Sequence, residues 1–453
     1  MKEWAASELE NVDLGDARRN KRLKRLVEDL ASQPDSSVPQ ACGDIAATSA
    51  AYDLWNSPYF QPSDIHDGHV ASTVKRINSH SVILAIQDTT NIDLTHHPKT
   101  SGLGHLDHKK TFGLKVHSTL TTTTNGIPLG IINQQVWARD IENLGIAKKR
   151  RQRQTKEKES QRWLDSLQIT EKRILSDTKV ITVADSEADI FDLFSQERLE
   201  NSHLLIRGTH NRKVDHTAQY LHQAINQTPA SGTLEVEVKR NPERPARKAK
   251  LTIRKTCITV QVPLHHIARK QLKPVELQVI LASEENPPTG VKPISWLLLT
   301  TVKINDFDSA VQCVKWYTYR WLIERYHYVL KSGCGIERLQ LETGKRIKMA
   351  LATYSIVAWR LLWLTYQARL NPDMPCTNIL ETHEWQSLCA TINKNPIPPP
   401  EPPSLKEAVR MIAKLGGFLC RKSDGEPGVK TIWRGLKRLY DIAQTWKLLE
   451  NKT

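Results

Sequence analysis

Val82-Ile83-Leu84-Ala85-Ile86-Gln87-Asp88 and Val180-Ile181-Thr182-Val183-Ala184-Asp185 are two apolar runs of strand length that each lead into an aspartate. Between and beside them lie further strand-like runs at 114–120, where apolar residues alternate, and at 127–136. Helical periodicity fills about 160–174 and 189–200. Strands interleaved with helices predict an α/β layer architecture, a mixed sheet flanked by helices. From 208 to 300 the alternation becomes denser, as in Leu234-Glu235-Val236-Glu237-Val238, which predicts an inserted, mainly antiparallel β subdomain.

Outward from this core the pattern is helical at both ends. Leu23, Leu26, Leu30 and Ala31 fall at three- and four-residue steps, while Arg18, Arg19, Lys21, Arg22, Lys24 and Arg25 crowd the other faces of a very basic helical head. A long helix is expected from about 309 to 332, ending at Gly333, with more helix to 370. The proline-rich run 396–403 predicts an extended spacer before a helical tail. The expected division is a basic helical domain at 1–68, an α/β domain at 69–372 with its β insertion at about 209–303, and a helical domain at 373–453 with the spacer at 393–404.

Composition narrows the class. The chain has 453 residues and carries 64 Lys plus Arg against 49 Asp plus Glu, a net charge of +15, which points to a polyanionic partner. With 39% apolar and 25% charged residues it can build a core and is not disordered throughout. The longest apolar segment, 349–370, contains Arg360 and scattered Ser and Thr, so a buried helix is expected and no membrane span. Seven cysteines are scattered singly, without a CxxC pair, and the first residues lack an apolar signal core. A reducing cytoplasm is therefore expected, and a structural zinc site is disfavoured.

Two strand-end aspartates in neighbouring strands would converge at one sheet edge, an arrangement suited to a hard, oxygen-liganded divalent ion. Farther on, Tyr317, Arg320, Glu324 and Lys331 are spaced to share one helix face, a carboxylate among phosphate-binding groups. Both readings have plain alternatives: an aspartate after a strand also serves as a turn former or cap, and Arg320 with Glu324 also makes an ordinary i,i+4 pair. His96 and His97 lie near Asp88 but lack a partner at metal-ligand spacing.

The order of Leu14-Gly15-Asp16-Ala17-Arg18-Arg19, Ala85-Ile86-Gln87-Asp88-Thr89-Thr90, Ala184-Asp185-Ser186-Glu187-Ala188-Asp189-Ile190, Trp296-Leu297-Leu298-Leu299-Thr300, the Tyr-x-x-Arg-x-x-x-Glu-x-x-x-x-x-x-Lys helix and Lys414-Leu415-Gly416-Gly417-Phe418 resembles the DDE transposases of the insertion sequence four family, the transposase of bacterial transposon five among them. The resemblance covers most of the chain and is weakest at about 370–410. It implies an RNase H-like catalytic fold in which Asp88, Asp185 and Glu324 are the catalytic triad and hold two Mg²⁺ ions, with Mn²⁺ as a substitute. Two metals about 3.5–4 Å apart serve the attacking and leaving oxygens of an in-line displacement.

The implied activity is cut-and-paste transposition, in which terminal inverted repeats are bound, 3′ ends are freed, a hairpin is formed and reopened, and the 3′ ends are joined to target DNA. Trp296 is implied in holding a flipped base and Trp321 in supporting the same distortion. Tyr317, Arg320, Lys331 and Arg207 are implied in phosphate contacts, Arg18, Arg19 and Arg22 in contacts to the terminal repeat, and 415–418 in pairing two protomers that cleave in trans as a homodimer. A bacterial, nucleoid-associated cytoplasmic location follows. The runs 148–153 and 244–250 are further candidate DNA contacts. Ser186, Gln87 and Arg325 depart from the residues common at their positions; none removes a ligand, and they bear on phosphate contacts and on the pH and metal optimum. A catalytically silent end-binding regulator is the alternative, against which the intact triad argues.

Overall fold

The computed structural model describes residues 2–108, 110–140, 155–215, 217–238, 246–421 and 423–450. The basic run 148–153, and Arg244 and Pro245 of the second run, lie outside the described residues. Five helices come first: α1 (Lys2–Glu8), α2 (Ala17–Ser32), α3 (Val38–Cys42), α4 (Ile45–Trp55) and α5 (Pro62–Ile77). Helix α2 starts where the Asp16 side chain accepts the Arg18 N–H, and it buries Leu23, Leu26, Val27, Leu30 and Ala31, the stripe expected from their spacing.

Strands β1 (Val82–Asp93), β2 (Gly104–His105), β3 (Phe112–Thr123) and β4 (Pro128–Trp137) follow, then α6 (Gln161–Arg173), β5 (Lys179–Ala184), α7 (Phe191–Ser195) and β6 (Ser202–Arg207). The order β4, β3, β1, β5, β6 places an antiparallel meander beside a parallel pair of crossovers, the RNase H-like arrangement. Helix α7 is shorter than the expected 189–200 because the chain turns extended at Gln196, where the Arg198 guanidinium takes up the carbonyls of Leu193, Phe194 and Gln196.

The insertion comprises β7 (Val214–Asp215), α8 (Leu221–Gln227), β8 (Ala230–Val238), β9 (Arg247–Val260), β10 (Val275–Ser283) and β11 (Ser295–Thr300). Its strands pair antiparallel, as the alternation predicts, and β11 pairs with β6, so among the described residues one continuous eleven-stranded sheet results. After it come α9 (Phe307–Thr318), α10 (Trp321–Tyr328), α11 (Gly344–Leu370), α12 (Thr382–Asn393), α13 (Leu405–Leu415) and α14 (Val429–Glu450). The single helix expected at 309–332 is instead two. The amides of Arg320 and Ile323 bond to carbonyls three residues back, which tightens the pitch between α9 and α10, and a π turn at Val329–Gly333 then widens it.

Helix α11 is the spine of the molecule. It is 27 residues long, and its window apolar enough to cross a membrane is 83% buried inside the protein, where the helix packs on α2, α5 and β4. Its serine and threonine hydroxyls are satisfied locally: Thr353, Ser355 and Thr365 donate to carbonyls four residues earlier. Trp55 of α4 donates its indole N–H to Thr353, and Trp359 donates to the Pro128 carbonyl, tying helical head and sheet to the spine. Residues 396–403 carry no helix, in keeping with an extended spacer.

Candidate active site

Side-chain parity decides where the carboxylates point. Along β1, Leu84 and Ile86 belong to the core cluster that includes α10 and α11, whereas Ile83 and Ala85 belong to a separate one with α5. Asp88 shares the parity of Leu84 and Ile86 and so faces α10. On β5 the residues of that same face are Ile181 and Val183, which puts Asp185 on it too. Ile86 pairs with Val183 in parallel register, and each aspartate lies two residues farther along its strand. Val183 in turn pairs with Leu205 on β6, so Arg207 continues the row, and Arg207 pairs with Leu298 of β11, two residues from Trp296. The row lies at the C-terminal ends of the parallel strands, where ligand crevices of α/β sheets form.

One detail of the strand-end reading is corrected. Asp185 does end β5 and caps a 3₁₀ turn, Ser186–Ala188, but Asp88 sits in mid-strand, since β1 runs on to Asp93. The reason is long-range: β5 accompanies β1 only from Val82 to Ile86, while β3 stays paired from Ile83 to Asp93. Asp88 therefore occupies a stretch of β1 supported on one side and open on the other.

Glu324 comes from α10, which packs on β1 and β3. It pairs with Arg320 at 2.6 Å, the i,i+4 contact that the plain alternative anticipated. Asp88 and Asp185 are each held through one oxygen by a nearby amide, Thr89 N–H at 2.8 Å and Glu187 N–H at 2.9 Å. Burial pushes the Asp88 carboxyl up to about 7, with the neighbouring Asp185 and Glu324 charges adding to the rise and the Thr89 amide and Arg320 opposing it. Asp185 and Glu324 are thus both near enough to act on Asp88. Among the described residues no group of three or more His, Cys, Asp or Glu side chains is gathered closely enough to hold a metal ion as it stands. The donor chemistry nevertheless fits a divalent ion, because all three side chains offer hard oxygen donors and Arg320 is the cation set against them through its pair with Glu324.

The phosphate-binding candidates divide. Tyr317 is buried, its hydroxyl pushed up by burial and by Asp185 and pulled back by Arg320 and Arg207, so these groups share one locality. Trp296 packs edge-on against Tyr317 at 5.9 Å between ring centroids. Trp321 is 56% exposed, with the Arg320 guanidinium 5.0 Å above its ring. Arg207 is exposed beside the Ser295 carbonyl. Lys331, carried on the π turn, is paired with Glu337 at 3.2 Å rather than with the triad. In the head, Arg18 and Arg22 are exposed and one turn apart, whereas Arg19 is turned inward to the Leu14 carbonyl and the Tyr59 ring. His97 bonds to the Glu337 carbonyl, a structural contact.

Residues not singled out by their spacing also stand here. His327 lies three residues after Glu324 on the same helix, buried and pushed down to about 3 by burial and by Lys331, so it is neutral beside Asp88 at 3.9 Å. Its i+3 position was the available signal. Arg162, on α6 behind the sheet, donates to Thr89 and pairs with Glu187, and no local pattern announces that.

Three family models match the chain: a transposase DNA-binding model over residues 1–59, a transposase DDE domain over 83–360, and a transposase Tn5 dimerisation domain over 356–446. The DDE match spans every element that builds the crevice, and the other two fall on the helical head and the helical tail. The chain therefore belongs to the DDE transposases and resembles that of Tn5, with DNA and a second copy of itself as its partners.

Proposed function

We propose that this transposase cuts and pastes DNA, binding terminal inverted repeats, freeing the 3′ ends by phosphodiester hydrolysis, passing through a hairpin, and joining the 3′ ends to target DNA. The observation that carries the reading is geometric: Asp88 and Asp185 lie on one face of the neighbouring parallel strands β1 and β5, beneath α10, the helix that carries Glu324. Asp88, Asp185 and Glu324 would hold two Mg²⁺ ions, for which Mn²⁺ can stand in. When bound, these ions supply Lewis-acid activation of the attacking oxygen and charge stabilisation for the leaving 3′ oxygen.

The chain's own residues do the rest. Arg320, whose planar guanidinium lies between Glu324 and the Trp321 ring, orients a phosphate at the crevice. Tyr317 and Arg207 bracket the strand beside Asp185. Trp296, half-buried against Tyr317, offers a π face to a base displaced from the stack, which the hairpin step requires. Arg18 and Arg22 of the head contact the repeat, Lys331 contacts phosphate once released from Glu337, and a protomer pair cleaves in trans. Domain limits at 1–68, 69–372 and 373–453 are proposed with these roles; α11 ends just before the second limit.

The test uses labelled duplex carrying the repeats that flank the reading frame, with Mg²⁺ or Mn²⁺, comparing the wild type with Asp185→Ala and Glu324→Ala on a denaturing gel. Hairpin ends made only by the wild type are expected. Specific binding without strand cleavage in either metal would instead identify an end-binding regulator.

A further inference from the structure

Behind the sheet, on the face opposite α10, one arginine reaches both aspartate positions. The amide that holds Asp88 is that of Thr89, and the amide that holds Asp185 is that of Glu187. Arg162 Nε donates to the Thr89 hydroxyl at 2.8 Å, and Arg162 Nη2 donates to Glu187 Oε2 at 2.7 Å. Its remaining nitrogen, Nη1, donates to the Glu159 carbonyl at 2.8 Å. The guanidinium is thus engaged at all three nitrogens, with 13% of its side chain exposed.

The support continues behind it. The Thr89 hydroxyl lies 2.9 Å from His117 Nδ1, His117 Nε2 lies 3.3 Å from Gln87 Oε1, and the His117 ring packs edge-on against Trp163 at 4.6 Å. Burial and the Arg162 charge keep His117 neutral, so Nδ1 accepts the threonine proton and Nε2 donates to Gln87.

We propose that Arg162 is a positioning residue for the strand-cleavage reaction, setting the separation and orientation of Asp88 and Asp185 by bridging Thr89 and Glu187. The inference rests on the active-site reading of those aspartates. β1 and β5 share no ladder beyond Ile86 and Val183, so the two carboxylates lie past the hydrogen bonds that would fix their spacing. Arg162 supplies a cross-link there. Its planar fork presents Nε and Nη2 to the two acceptors in a fixed geometry, whereas the ammonium of lysine is a single point of charge on a flexible stem. Supporting contacts around a metal site are worth roughly 10–100-fold in affinity or activity.

The experiment measures Mn²⁺ binding by electron paramagnetic resonance, first-strand cleavage, repeat-end binding and thermal midpoint on the full chain. Arg162→Gln is expected to raise the half-saturating Mn²⁺ concentration and slow cleavage, each by about 10–100-fold, while repeat-end binding is retained. Arg162→Lys is expected to remain defective. Glu187→Gln and Thr89→Val are each expected to weaken Mn²⁺ binding at an unchanged thermal midpoint, and Arg162→Gln with Glu187→Gln together to be no worse than Arg162→Gln alone, as for residues acting through one contact. Wild-type Mn²⁺ dependence in Arg162→Gln overturns the proposal. If Arg162→Gln does not fold, wild-type Mn²⁺ binding in both Glu187→Gln and Thr89→Val overturns it equally. Asp185→Ala separates the two levels: its inactivity beside a normal Arg162→Gln removes only the positioning role, whereas its full activity removes the active-site reading itself.

Discussion

Asp189 gives the sharpest test of how this fold delivers Arg207 to the crevice. It lies four residues beyond Asp185, with 0% of its side chain exposed, and its carboxylate accepts four hydrogen bonds. Thr209 N–H and His210 N–H each reach Oδ2 at 2.8 Å, and Arg212 reaches Oδ1 through Nε at 3.1 Å and through Nη2 at 2.5 Å. Removing the carboxylate strands two amide donors, at about 1–3 kcal/mol each, and leaves a guanidinium that is only 8% exposed. Breaking a buried pair from one side costs about 3–5 kcal/mol, and because water and local relaxation satisfy part of the loss, the terms do not add. Asp189→Ala is therefore expected to lose about 3–5 kcal/mol locally, and Asp189→Asn, which keeps an acceptor of the same shape, about 1.5–3 kcal/mol. At 1.4 kcal/mol per factor of ten, about 3 kcal/mol is a ~10²-fold loss of amide protection. Hydrogen exchange read by mass spectrometry should show that loss in peptides covering 208–214 of Asp189→Ala, with peptides from β3 unchanged. Repeat-end cleavage should fall with it, because the disordered turn begins one residue after Arg207. Wild-type protection at 208–214 in Asp189→Ala would refute the reasoning.

Three further outcomes follow from other parts of the molecule. Burial holds His66 and His69 below their usual range, and the charged partners of Glu8 hold its carboxyl low against the burial that would raise it. Both imidazoles hold their protons less tightly when folded than the roughly 6.5 of the unfolded chain, so their contribution is present above that pH and is lost as pH falls; the Glu8 contribution is lost as pH falls from about 4.5 through its lowered value. The urea midpoint should therefore decline from pH 7 to 5 and more steeply below, and a midpoint that rises between pH 7 and 5.5 would contradict this. A Cβ on Gly435 of α14 would run into the Ile412 carbonyl of α13, so Gly435→Ala is expected to cost about 1–3 kcal/mol in the tail and to lower the dimer fraction seen by sedimentation with repeat-end DNA. Trp296→Ala is expected to nick the first strand normally and to form hairpins about 10–100-fold more slowly, from a stacking contribution of ~1–3 kcal/mol; equal loss at both steps would argue for a structural role.

Helix and strand identity, the antiparallel insertion, the basic head and the buried apolar helix were all legible along the chain, because each depends on local periodicity. Leu23, Leu26, Leu30 and Ala31 line the buried face of α2 for that reason, and the alternation at 234–238 lies within β8. The two aspartates and Glu324 were likewise readable as candidates. Their convergence was not written in any one segment: it comes from the register of β1, β5 and β6 and from α10 crossing their face.

What local patterns missed depends on pairings between distant residues. Asp88 looked like a strand terminus because the apolar run stops there, yet β3 carries β1 five residues farther, to Asp93. The helix carrying Glu324 looked continuous, yet its pitch tightens at Arg320 and widens at the π turn, which sends Lys331 to Glu337. No sequence pattern singled out Arg162, and only the packing of α6 against β1 and β4 brings it to Thr89 and Glu187, 73 and 25 residues away. The sequence by itself determined the elements, the charge and the chemistry-bearing residue types, since these follow from neighbours a turn or a pleat apart. The tertiary structure decided which carboxylates meet, what holds them and which cations are left free, because hydrogen bonds and charge interactions act through space between segments whose distance along the chain carries no information about contact.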